Sequence, residues 1–183
     1  MSGDYWTEVR TRNDFPADEV ISALQKEIRR GNEENAALLA FEMFSTSGEL
    51  EEKLWERLLV ISVEDIGWGN INAPVILESL FRIHEKLKKT PDNGLIAIHA
   101  VRFLCACQKD RSSDEMYTWI KMASERQGVL PVIPDYAHDM HTERGRELGR
   151  GYLHFLEEAA KVEPEFAERN TEYRTRILKI LKN

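Results

Sequence analysis

Apolar residues recur at three- and four-residue steps along almost the whole chain, and alternating strand-like patterning is nearly absent. The pattern predicts an all-α, multi-helix bundle. A first helix starts near Asp18, just after Pro16, and turns Val20, Ile21, Leu24 and Ile28 inward until Gly31 stops it. A second, over about 33–45, carries Ala37, Leu38, Phe41 and Phe44 on one side and breaks at Ser47-Gly48. In the third, about 49–66, Leu50, Leu54, Leu58 and Ile61 form one stripe, which Trp55, Leu59, Val60 and Val63 widen past a single face. Such a helix belongs among several neighbours. Further helices are predicted over about 73–88 (Ile76, Leu80, Ile83, Leu87), 95–108 and 114–125; the 95–107 stretch is apolar on nearly every side and is expected to be central. Pro131 and Pro134 then impose an extended connector or hinge over 127–134. Helical pattern resumes over about 135–148, turns at Gly149-Arg150-Gly151, and returns over about 153–162 and 170–181.

Composition narrows the class without naming an activity. With 183 residues, 42% hydrophobic and 31% charged, the chain can build one ordinary core and is neither a fibre nor a disordered tail. The expected organisation is an N-terminal extension over 1–17 outside the core, a helical domain over 18–163 and a C-terminal helix over 164–183. A net charge of -7 excludes coating of nucleic acid by charge alone, so any such contact is local. Basic residues concentrate late: 16 basic and 24 acidic side chains fall in 1–141, but 9 and 8 in 142–183. Cys105 and Cys107 suit neither a disulfide framework nor a zinc site. They are read as packing residues in a reducing compartment. No leader pattern and no apolar run of about 20 residues is visible, so the expected location is cytoplasmic, away from membranes.

Searches for chemistry return little. No phosphate loop of the GxxxxGK[ST] kind exists, so no ATP hydrolysis is expected of this chain, and no cofactor is called for. The string His138-Asp139-Met140-His141 resembles the core of HD-type metal-dependent phosphohydrolases, with His84 or His99 as an earlier ligand. Such a site needs a later aspartate, and none follows Asp139, so His99, His138 and Asp139 stand as an alternative metal reading only. Glu51, Glu52, Glu56, Glu64 and Asp65 invite comparison with all-α nucleotide pyrophosphatases. Their spacing instead puts Glu52 and Glu56 on one helix face at i and i+4.

The stretch Trp55-Glu-Arg57-Leu-Leu-Val-Ile-Ser62-Val-Glu64-Asp65-Ile-Gly67 resembles the helical C-terminal part of the MgsA/RarA family of replication-associated recombination AAA+ ATPases. Those proteins carry a similar arginine-rich helix ending in Ser-Glu-Asp-Ile-Gly; here Val63 is inserted. Flanking segments follow in the family's order: Ile28 to Asn32, Asn35 to Leu38, His99 to Tyr117, and Glu147-Leu-Gly149-Arg150-Gly151-Tyr152. The resemblance spans about residues 20–155. It implies a helical domain akin to the collar of clamp loaders, which follows an AAA+ motor and drives assembly into a tetramer. The motor itself is missing from this chain. Met1 and the distinctive tail after about His154 lead to the expectation of a free-standing relative that assembles with itself or with an AAA+ partner. DNA proximity is expected through Arg144, Arg146, Gly149, Arg150 and Gly151. The family-motif or interaction residues are Arg57, Ser62, Glu64, Asp65, Gly67 and Trp68.

The key string also has a reading that needs no family. Glu64 and Asp65 end an apolar helix, where the helix dipole disfavours negative charge unless cations or backbone donors answer them. Arg57 is one such cation, and a basic residue from another helix or from another subunit is a second. Gly67, Gly69 and Asn70 permit a tight reversal with positive φ, and Trp68 between them is either a core plug or an exposed anchor.

Overall fold

A computed structural model describes residues 5–183. Among them the architecture is all-α, with nine α-helices, short 3₁₀ and π turns, and no strand. The chain divides into two compact units, one ending at Gln127 and one running from Gly128 to Asn183. This boundary lies inside the 18–163 span expected as one helical domain, at the proline-bearing connector. No helix among the described residues is long and apolar enough to cross a membrane.

The first unit holds α1 (Ala17–Arg30), α2 (Glu33–Phe44), α3 (Gly48–Ile61), α4 (Ala73–Leu87), α5 (Asn93–Ala106) and α6 (Ser112–Gln127). Helix α5 is central as expected, touching α1, α2, α3 and α4. Glycine ends α1 as the sequence suggests: Gly31 has φ 73°, and its N–H reaches the carbonyl of Ile28 at 3.1 Å. Ser47 caps α3 by accepting from the Leu50 N–H at 3.2 Å. Lys109 closes α5, its ammonium donating to the carbonyls of Leu104, Cys105 and Cys107, where a cation meets the negative end of the helix dipole.

Several inward faces differ from the expected ones. In α2 the buried residues are Ala36, Ala40, Glu42 and Met43, while Leu38 and Phe41 are exposed. Small side chains let α1 and α5 approach this helix, and the large ones are left to line an outer groove of about 440 Å³ with Phe15 and Val20. In α4 the inward face is Ala73, Leu77 and His84, with Ile83 exposed. The third helix is not continuous to Ile66. It leaves α geometry at Ile61, runs through a π turn over Ser62–Ile66 and a 3₁₀ turn over Gly67–Asn70, and turns Val60 and Val63 outward. The N-terminal segment is not outside the core within its described part. Thr11 is buried, Trp6 and Val9 pack on the core cluster, and Thr11 N donates to the Phe15 carbonyl at 2.9 Å.

The second unit is short-helical: α7 (Glu143–Glu147), α8 (Tyr152–His154) running into a π turn at Phe155–Ala159, and α9 (Glu172–Lys182). The helix expected over 135–148 is only a 3₁₀ turn at Asp135–Ala137 followed by the five residues of α7. Gly145 explains the break, because a Cβ there would lie 1.7 Å from the Asp139 carbonyl oxygen. The backbone of 139 therefore crosses directly over α7. Leu156 is buried, and Arg174 of α9 donates to its carbonyl at 2.7 Å.

Candidate functional site

The Glu64–Asp65 pair sits in the π turn that ends α3, and α1, α3 and the segment just before α6 bring cations to it. Asp65 is fully buried. Its Oδ1 accepts from Arg29 Nε of α1 at 2.5 Å and from Arg111 Nη1 at 2.6 Å; its Oδ2 accepts from Gln25 Nε2 at 2.9 Å. Glu64 Oε1 accepts from Arg29 Nη2 at 3.3 Å and Arg111 Nη1 at 3.2 Å, and Glu64 Oε2 lies 3.7 Å from Arg57 Nη2. Arg57 also donates to Gln25 Oε1, and Arg111 to Asp114 Oδ2. All four carboxylate oxygens of the pair thus face in-chain donors. Three guanidiniums meet three carboxylates, so the cluster is neutral overall.

Burial pushes the Asp65 carboxyl up, but hydrogen bonds from Arg29, Gln25 and Arg111 outweigh it and hold the group below the usual carboxylate range. Burial likewise works against the Arg111 cation, and Asp65 and Glu64 more than restore it.

The glycines serve close approach as much as turning. Gly67 has φ 49°, and a Cβ there would stand 2.5 Å from the Asp110 carbonyl oxygen. At Gly69, which lacks the expected positive φ, a Cβ would stand 2.4 Å from the carbonyl of Gln108. The segment after α5 therefore runs against the glycine turn, and Asp110 N donates to the Asp65 carbonyl at 3.0 Å. That passage delivers Arg111 to the acids. Ser62 bonds back to the Leu59 carbonyl at 2.6 Å, and Trp68 is 70% exposed, an outward residue and not a core plug.

Of the expected site residues, the structure brings together Arg57, Glu64 and Asp65 and sets Ser62 and Gly67 in the turn that carries them. Gln25, Arg29, Arg111 and Asp114 complete the cluster, and sequence reading did not single them out. Only the demand for an answering cation pointed that way.

The late basic group is divided by the structure. Arg150 is engaged locally: its Nη2 binds both Asp135 carboxylate oxygens at 2.8 and 2.7 Å, and its Nη1 donates to the carbonyls of Asp135 and His138. Gly149, at φ 68°, ends α7, and Gly151 precedes α8. Arg144 pairs with Glu147 at 3.4 Å, and Arg146 reaches the carbonyls of Met140 and His141; both remain exposed.

The alternative metal residues fall in both units. His99 is exposed on α5 in the first unit, whereas His138 and Asp139 belong to the second. Asp139 is spent on a local turn, accepting from the His141 N–H at 2.9 Å and lying 2.9 Å from His141 Nδ1. His84 is a core residue, set 2.9 Å from Glu51 and 4.7 Å from the Trp55 ring. Among the described residues no group of three or more His, Cys, Asp or Glu could hold a metal ion. Burial pushes the Cys105 thiol up to about 11, which suits a packing residue and not a nucleophile. No protein-family model matches the chain, and no curated protein matches it in sequence.

Proposed function

We propose that this chain is a non-catalytic helical assembly module, related to the C-terminal region of the MgsA/RarA replication-recombination AAA+ ATPases, which joins copies of itself or docks on an AAA+ partner. The closure of the Glu64–Asp65 cluster carries this reading. The residues on which the resemblance rests most heavily are used up in tying α1, α3 and the start of α6 together, with no carboxylate left over for acid–base or metal work. Light scattering on the purified chain tests it: a mass above that of the 21.2 kDa monomer is expected at micromolar concentration. A strict monomer that also captures no AAA+ partner overturns it.

A DNA-facing role within this reading falls to Arg144 and Arg146, since Arg150 is tied down. Binding should weaken steeply with salt and drop when both are changed to Ala. Binding indifferent to salt, or none at low salt, removes the DNA component and leaves the assembly reading in place.

A further inference from the structure

Helix α6 is anchored at its start by Arg111 and then presents its apolar stripe to the outside. Met116, Trp119 and Ile120 fall at i, i+3 and i+4, the spacing of a helix–helix seam, while Ala123 at i+7 is covered within the chain. Tyr117 and Met122 flank them. The five large residues are 48–68% exposed, and Ala123 is the only buried residue of the helix. Trp, Tyr and Met at this exposure are what interface centres enrich.

The flank beside the stripe is self-complementary in charge. Glu115 and Arg126 are eleven residues apart, about three turns plus 20°, so they lie on one flank at opposite ends of the stripe. Both are exposed, and neither enters an ion pair among the described residues. In an antiparallel pair of identical helices like flanks face each other. A twofold axis between Ile120 and Lys121 sets each Glu115 opposite the other copy's Arg126, and the same register sets Tyr117 opposite Ser124 on the other flank. A parallel pair would set this flank against the Tyr117–Ser124 flank of the other copy and leave both charges unanswered.

We propose that α6 is a homodimer seam, packing antiparallel on α6 of a second copy, with Trp119 and Ile120 at its centre and two reciprocal Glu115–Arg126 pairs at its edge. This deepens the assembly reading and rests on it. A seam of 16 residues, about 24 Å, is at the small end of specific interfaces, so dissociation in the micromolar range is expected.

Sedimentation equilibrium on the full chain tests the seam. Trp119→Gln should weaken association roughly tenfold or more while leaving the helical circular dichroism unchanged, because the side chain is exposed in the single chain. Glu115→Arg or Arg126→Glu alone should each weaken it severalfold, and the two together should restore it to within about twofold. Association that persists undiminished in Trp119→Gln, or a double reversal no tighter than the singles, overturns the seam and leaves the assembly reading standing. A wild-type chain that never associates overturns the seam and self-assembly together.

Discussion

At the residue scale the account turns on Asp65. A fully buried carboxylate is tolerable only because two guanidiniums and an amide face it, so removing it leaves Arg29 and Arg111 partly unanswered. Asp65→Ala should cost about 3–5 kcal/mol in urea unfolding. Gly69→Ala should also destabilise, by at least 1 kcal/mol, roughly the cost of overpacking a close contact, since its Cβ meets backbone and not a movable side chain. Acid should act through the same group. Because the folded-state carboxyl titrates below its unfolded value, the pairing stabilises fully above about pH 4 and is lost as pH falls through the lower folded-state value. The wild type should therefore lose more stability than Asp65→Asn between pH 5 and the acid limit. Equal losses would mean that Asp65 is not the group titrating. The need for a cation near these acids was legible from their place at a helix end. Its identity was not, because Arg29 and Arg111 lie 36 and 46 residues away and no local spacing connects them.

At the element scale the number and order of the helices in the first unit follow from their apolar periods, but which arc faces inward does not. Helix α2 is the clearest case. It is apolar almost all round, so the period gives no direction, and packing selected the arc of Ala36 and Ala40 that admits α1 and α5 closely. Ala40→Leu should then cost about 1–3 kcal/mol by overpacking, while Leu38→Ser should stay within about 0.5 kcal/mol. Thermal or urea denaturation of the pair checks the assignment, and the reverse order would contradict it. In α4 the inward arc includes His84, a residue that hydrophobic patterning passes over, and this displaced the expected stripe by one position. Helix α7 was overestimated for a different reason. The constraint is a backbone crossing at Gly145, which leaves no mark on amphipathicity.

At the scale of the molecule the two units meet the solvent through a connector that the prolines announce. Residues 128–134 carry no helix and are exposed up to Ile133, with Gly128 at φ 65° opening the segment. Limited proteolysis should cut first between Gly128 and Pro134 and release fragments ending near Gln127 and beginning near the second unit. First cuts within α3 or α5 would contradict the division. The first unit keeps the Glu64–Asp65 cluster and the exposed α6 stripe together, so the part that holds the fold and the part proposed to associate are separable by mutation. The measurement that tests this most directly is Asp65→Asn followed in parallel by urea unfolding and by sedimentation. The account predicts a clear loss of stability with association per folded molecule unchanged. Unaltered stability with association abolished would show that these acids face a partner, and would contradict the claim that they are an internal tie.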